Sequence, residues 1–472
     1  MEVSQPPLIP SSGARRLSVF LKIAGILLLT ALLHVPLKMT RGVLRERQGY
    51  QEQATREIAE TWGQSQLIVG PVLVVPWVQT TKRTSEWKDA TGKVFAKEET
   101  QTNGGHLYFL PEELRITARL DPEVRYRGIF EAVVYGAKIE ITGSFRVAVP
   151  GEELPDTVYH WEKARLCFGT SDLRRLRASP IVRWGGEAVA VDANGSSEAP
   201  GLGLAAAVGG AAPGKRVDYS IAMGLQGSGR LEFAPVGRQT EVTVSSAWRD
   251  PSFTGAHLPA MREITESGFT AQWAMGPFGR EYPFAWSSRE GNAREHIGRF
   301  GTSALGVAFD KPVDGYRLAE RAQKYGVLFF VLVFAVFFLF EVTAALRIHP
   351  LQYAMVGAAL CLFFLGFLAL SEFLATGLAY GLAAGACTLL VSLYAWSFLR
   401  TGRRTLVIGG GLGATYGYLY FVLQSQDYAL LAGTGALFAA LALIMWATRR
   451  INWYSLEMSA DAPVAPRTEA RS

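Results

Sequence analysis

Tyr325-Gly326-Val327-Leu328-Phe329-Phe330-Val331-Leu332-Val333-Phe334 opens an apolar tract that runs on to Thr448 and decides the fold. Short polar breaks divide it into residues 325–346, 351–371, 373–399, 405–426 and 428–448. The first piece carries one charge, Glu341, and the others carry none. Each piece is close to the ~20 residues a helix needs to cross a bilayer core. A soluble core has no reason to stack so many segments of that length. The tract therefore predicts a five-helix transmembrane block over residues 325–448.

Working outward, the 472 residues leave room for more than one domain. The mean hydropathy of +0.16 blends two unlike regions, a polar stretch over 45–320 and the apolar block. The net charge of +6 resides largely in arginines near membrane ends and in the tail, so it requires no nucleic-acid partner. Cys167, Cys361 and Cys387 form no disulfide framework and read as small apolar fillers.

At the other end, residues 1–14 read as a disordered cytoplasmic N-terminus. Arg15 and Arg16 precede an apolar run interrupted only by Lys22 and His34. No small-x-small cleavage site follows; the exit reads His34-Val35-Pro36-Leu37-Lys38. Residues 15–37 are therefore expected to be a transmembrane anchor and not a cleaved signal. With the block, this makes about six helices.

Loop charges orient the molecule. Arg347 and His349, then Arg400, Arg403 and Arg404, then Arg449 and Arg450 mark alternate loops, and the loops around Glu372 and Asp427 carry no Lys or Arg. By the positive-inside rule the marked loops face the cytoplasm. Both termini, including the tail 449–472, are then cytoplasmic, and residues 38–324 lie outside.

That outer region is expected to be mostly β. Residues 42–65 read as a short polar helix leaving the membrane. Residues 67–77 read as an edge or bulged strand because Pro71 and Pro76 interrupt it. Short alternating runs follow, such as 138–149, 216–225, 230–234 and 240–248; in the last, Val242 and Val244 share one face. Gln226-Gly227-Ser228-Gly229 reads as a turn, and residues 185–214 as mostly loop. The charged segment 314–324 joins this domain to the block without a flexible linker.

Chemistry is sparse. There is no GxSxG elbow, HExxH, Walker loop or CxxC, and the histidines are scattered. The expectation is no catalytic residue, no metal and no cofactor. The densest candidate surface is Trp248, Arg249, Arg262, Glu263, Glu266 and Trp273, since Trp and Arg carry contact energy out of proportion to their number. The alternative is a packed, salt-bridged loop. Glu341 and Glu372 are intramembrane acids of either interfacial or functional use. Gly377, Gly381 and Gly385, and Gly409, Gly413 and Gly417, make two small-residue faces that would let their helices approach closely.

Several segments together resemble the CreD family, bacterial inner membrane proteins also called cell envelope integrity proteins. They are Val69-Gly70-Pro71, Pro251-Ser252-Phe253, Glu266-Ser267-Gly268-Phe269, Phe340-Glu341 and Asn452-Trp453-Tyr454-Ser455-Leu456. The resemblance implies the same architecture and a non-enzymatic role in envelope integrity, linked to the Cre two-component system. The function expected is an inner-membrane protein whose external domain binds an envelope component or another inner-membrane protein. The rival is a transporter or channel for an envelope-related small molecule, which would need polar residues along a mid-membrane path.

Overall fold

Residue-level features of the computed structural model cover 12–88, 94–148, 156–193, 195–278, 281–290, 293–309, 315–343, 348–399, 401–425 and 429–449. Expectations for residues 1–11, Asp314, Arg347, Arg400, Asp427 and the tail beyond Arg449 lie outside them. The chain divides into two units, Met1–Tyr50 with Val313–Ser472, and Gln51–Pro312.

The Gln51–Pro312 unit is built from strands β1 (Gln66–Lys88), β2 (Val94–Phe109), β3 (Glu113–Arg127), β4 (Phe130–Arg146), β5 (Thr157–Tyr159), β6 (Arg165–Thr170), β7 (Ile181–Trp184), β8 (Glu187–Val189), β9 (Val191–Asp192), β10 (Leu204–Ala207), β11 (Arg216–Ser228), β12 (Arg230–Phe233), β13 (Gln239–Ser246), β14 (Ser252–Gly255), β15 (Met261–Thr265), β16 (Gly268–Met275), β17 (Ala285–Ser287) and β18 (Leu305–Ala308). They form two sheets. The first runs β14-β18-β12-β1-β6-β10-β9, with β2 and β5 also on β1. The second runs β15-β16-β13-β3-β4-β11-β7-β8.

Period-2 patterning makes the second sheet. Along β3 burial alternates: Leu114, Ile116, Ala118 and Leu120 point into the core while Arg115, Thr117 and Arg119 face out. Ile139 and Ile141 of β4, Ile221 and Met223 of β11 and Val242 and Val244 of β13 complete that inner face. They share one hydrophobic core with Val72, Leu73, Val74 and Val75 of β1. The Tyr135 hydroxyl, on β4, donates to the Arg230 carbonyl at 2.7 Å and ties the two sheets. Burial raises its pKa far above the ordinary tyrosine range.

Two features differ from expectation. The 67–77 stretch is bulged, with its register shifting between Val69 and Val72, yet β1 is central and not an edge. Pro71 is tolerated because it falls at the bulge, where no ladder bond is required of it. Gly70 sits there at φ +102°, and a Cβ would lie 3.0 Å from the Phe168 backbone. Residues 185–214 are also more ordered than a loop: Leu204, Ala205 and Ala206 of β10 are buried and pair with β6. Their small side chains suit a strand pressed between neighbours, which composition alone disguised.

The other unit is helical. Helix α1 (Ser12–Trp62) is continuous, merging the expected anchor and the polar helix after it. After the short α2 (Ala293–Gly298) of the β unit come α3 (Gly315–Lys324), α4 (Gly326–Thr343), α5 (Pro350–Ser371), α6 (Thr376–Leu399), α7 (Gly402–Gln424) and α8 (Ala429–Thr448). Among the described residues four helices, α1, α5, α6 and α7, are long and apolar enough to cross a membrane. A fifth candidate is α3 with the first part of α4, bent by 53°. The α5 start follows its sequence: Pro350 stands where its missing N–H is no loss, and the His349 imidazole accepts from the Leu351 N–H at 3.2 Å.

The glycine faces close only in part: a Cβ at Gly377 would lie 2.9 Å from the Tyr420 hydroxyl and one at Gly409 2.6 Å from the Ser392 hydroxyl. The rings of Tyr380 and Tyr420 meet between α6 and α7 with centroids 4.9 Å apart and planes tilted by 40°, and the Tyr380 hydroxyl donates to the Tyr416 carbonyl at 2.7 Å. A Cβ at Gly381, Gly385, Gly413 or Gly417 would meet nothing within 4 Å, so these glycines line an open groove of about 650 Å³.

Truncating Ile139 to Ala should destabilise the β unit by about 2–5 kcal/mol, the usual cost of an emptied core position. Tyr135→Phe should cost about 1–3 kcal/mol, because the Arg230 carbonyl loses its donor. Tryptophan fluorescence during denaturant unfolding of the purified chain checks the order of the two.

Candidate functional site

A groove of about 910 Å³ lies on the outer face of the second sheet. Its floor can be read as one register row. Glu263 of β15 stands opposite Thr270 of β16, Thr270 opposite Ser245 of β13, and Ser245 beside Arg119 of the parallel strand β3. Arg119 stands directly opposite Lys138 of β4, and Lys138 opposite Gly224 of β11. Two residues along, Asp121 faces Gly136.

Small residues keep this floor deep. Arg177 donates its backbone N–H to the Gly224 carbonyl at 2.9 Å, and a Cβ on Gly136 would sit 3.1 Å from the Arg177 guanidinium. Gly136 thus makes room for Arg177 to lie over the floor. At the far end β15 and β16 form a hairpin through Glu266 and Ser267, with Gly268 at φ +138°. A Cβ there would meet the Ser246 carbonyl oxygen at 2.1 Å, so glycine is what lets the hairpin lie against β13.

Arg119, Lys138 and Arg177 are exposed cations converging on one end. On the same face Arg115 is held by Glu241 at 3.0 Å. Among the described residues no ion pair engages Arg119 or Lys138. Like charges directly opposite each other on a sheet repel. The arrangement offers guanidinium, ammonium and hydroxyl groups around an open floor, which can bind a polar ligand.

The sequence-based candidates scatter around this groove. Glu263 lines it. Arg262 and Glu266 are exposed on the same hairpin, and Arg249 is exposed just after β13. Trp273 is 2% exposed, packs edge-on to Phe253 and donates its indole N–H to the His257 carbonyl at 3.1 Å. Trp248 is half-buried against Phe309 and donates to the Asp250 carbonyl at 3.0 Å. The two tryptophans are anchors of the fold. Sequence reading missed Arg119, Lys138 and Arg177; the available signal was the polar alternate positions of β3 and β4.

In the helical unit both acids are tied. Glu341, 6% exposed near the end of α4, accepts from the Ile348 N–H at 3.1 Å and from the Tyr353 hydroxyl at 3.0 Å. It therefore fastens the end of α4 to the start of α5. Glu372 caps α5, accepts from the Tyr316 hydroxyl at 3.1 Å and lies 3.5 Å from Arg47 of α1. Helix α3 is docked, not free: Arg321 donates to the Leu423 carbonyl of α7 at 3.1 Å, and Gly315 abuts Ser371. The side-chain amide of the buried Gln323 has no partner among the described residues.

Cys167 lies buried on β6, and burial pushes its thiol up to about 12, with Glu198 adding to the shift. No cluster of three or more His, Cys, Asp or Glu placed to hold a metal occurs among the described residues.

Comparison with known proteins gives two kinds of similarity. The model of the family described as "Inner membrane protein CreD" matches residues 18–454. The inner membrane protein CreD of Escherichia coli strain K12 is 30% identical over 458 residues, covering 96% of this chain and 98% of its own. Among solved structures, a nutrient-binding protein of Legionella pneumophila aligns over 38% of this chain and 68% of its own, at 7% identity and a TM-score of 0.21. An M1 zinc metallopeptidase of Deinococcus radiodurans aligns over 43% and 42%, at 10% identity and a TM-score of 0.20. Neither structural likeness is strong enough to inform the fold.

Glu341→Ala should lower the thermal stability of the detergent-purified chain more than Tyr353→Phe, because it strips the acceptor from both donors at the α4–α5 corner. Melting curves of the two variants decide this. Cys167 should resist maleimide at neutral pH in the folded chain and react once denatured, as mass spectrometry of the labelled peptide would show.

Proposed function

Because the chain belongs to the CreD family of inner membrane proteins, we propose that it supports or monitors the integrity of the cell envelope by binding an envelope component through its β-rich unit. The β unit lies on the periplasmic side, between the first and second of six spans, and both termini are cytoplasmic. The alternating arginine-marked loops support that orientation. The role is one of binding and coupling, not of catalysis. Residues 314–324 carry the covalent connection from the β unit to α4.

The observation that carries the reading is the polar groove on the outer face of the second sheet. It is a large open site with converging charges, and the fold supplies no structural use for them. The transport alternative has less behind it. Glu341 and Glu372 are spent on helix ends, and the hydroxyls of Tyr380 and Tyr416 are bonded within the helical unit. The open groove between α6 and α7 is lined mainly by glycines and tyrosines, with Thr388 and Ser392 as its further polar side chains.

A photo-crosslinking residue at Thr270, in the groove, should capture an envelope component in intact cells, whereas one at Glu187, on β8, should not. Equal capture from both positions would remove the groove from the mechanism. A reporter that works only outside the cytoplasm, inserted between Gly195 and Gly203, should be active; activity of a cytoplasm-only reporter there would overturn the orientation.

A further inference from the structure

We propose that the groove takes an anionic saccharide, a sugar chain bearing carboxylate or phosphate groups, with an anion held among Arg119, Lys138 and Arg177. This rests on the binding reading above and names the chemical class of the ligand.

The charge argument comes first. Arg119 and Lys138 are cross-strand neighbours on the solvent face, and Arg177 is fixed beside them by its backbone bond to Gly224 and by the space over Gly136. Their mutual repulsion is a standing cost, which an anion between them converts to attraction. The acids lie around them: Asp121 faces Gly136, and Glu263 ends the register row. With three cations and two acids among the lining residues, the groove suits a ligand of sparse negative charge better than a dense polyanion.

The placement on a sheet face selects the ligand further. Strands β16, β13, β3, β4 and β11 are each paired on both sides, so their backbone groups are spent in the ladders. An extended peptide would need a free strand edge to add its own ladder. On these five strands only side chains can read the ligand; Ser245 and Thr270 continue the row from Arg119, and Thr265 and Ser267 line the far end. Guanidinium, ammonium and hydroxyl groups are the donors and acceptors that hydroxyl-rich, charged sugars require. Phe269 is the single aromatic residue of the lining, and it is 3% exposed and packed against Phe253. No ring is available to stack on a neutral sugar, so affinity rests on charge.

The test uses the full-length chain in detergent or lipid nanodiscs. Binding of a short uronic-acid oligosaccharide, a phosphorylated hexose oligomer and the neutral hexose oligomer is measured by calorimetry at low and high salt. One or both charged oligomers should bind about tenfold or more tightly than the neutral one, and salt should weaken them. The preferred one identifies the anion. Arg119→Ser with Lys138→Ser should abolish that preference without lowering the melting temperature, since it removes a repulsive pair. Arg177→Gln should weaken it, and Glu187→Gln outside the groove should leave it unchanged. Equal binding of neutral and charged oligomers, or charged binding untouched by the paired substitution, overturns the proposal. Specific capture from Thr270 in cells combined with no affinity for either charged oligomer overturns only the ligand class. No capture from Thr270 overturns the binding reading itself.

Discussion

Alternation along the strands of the second sheet is the constraint on which both the core and the groove depend. Strands β3, β11 and β13 each bury one face against the first sheet and leave the other toward water. A slip of one residue in β3 would exchange Ile116, Ala118 and Leu120 for Thr117, Arg119 and Asp121, and bury two unpaired charges. The cost of that error fixes the register, and the register in turn places Arg119 opposite Lys138. The groove is thus a by-product of the pairing that makes the core, decorated by residues the core does not need.

The helical unit obeys a different economy. Where lipid replaces water, polar groups need internal partners. Thr30 and Thr40 of α1 return their hydroxyls to the Ile26 and Pro36 carbonyls, and Ser371 returns its own to Leu368. Glu341 and Glu372, the costly acids, sit where chain ends supply donors. Against that background the Gln323 amide stands out as a buried cost of about 1–3 kcal/mol. Thr388, within α6, is a second buried polar group without a partner among the described residues.

How much of this was legible follows from how local each signal is. Helix lengths and the apolar tract are local, and so is the alternation of Val242 and Val244. Pro71 left an edge and a bulge both open, and the pairing of β1 with both β12 and β6 decides for the bulge. Trp273 misled because a large aromatic in a polar stretch reads alike whether it anchors a core or a partner. The glycine spacings told half the story: Gly377 and Gly409 meet the facing helix closely, while Gly381, Gly385, Gly413 and Gly417 line open space. The groove was least legible: its row joins β3 to β13 in parallel, across more than a hundred residues, and no local pattern announces such a pairing.

The treatment of charge elsewhere in the β unit sharpens what the groove means. Arg216 reaches Glu113 through both terminal nitrogens, at 3.2 and 3.1 Å, and Arg165 joins Asp192 and Glu198. Arg238 meets Glu112 and Arg115 meets Glu241. Such exposed pairs contribute little stability, yet they show that acids are positioned beside arginines across the surface of this unit. Arg119 and Lys138 face each other on neighbouring strands, and no ion pair engages either among the described residues. A threonine or serine at either position would fit the outer face of a strand and remove the repulsion. Stability therefore gives no reason for the pair, and a ligand that completes it does.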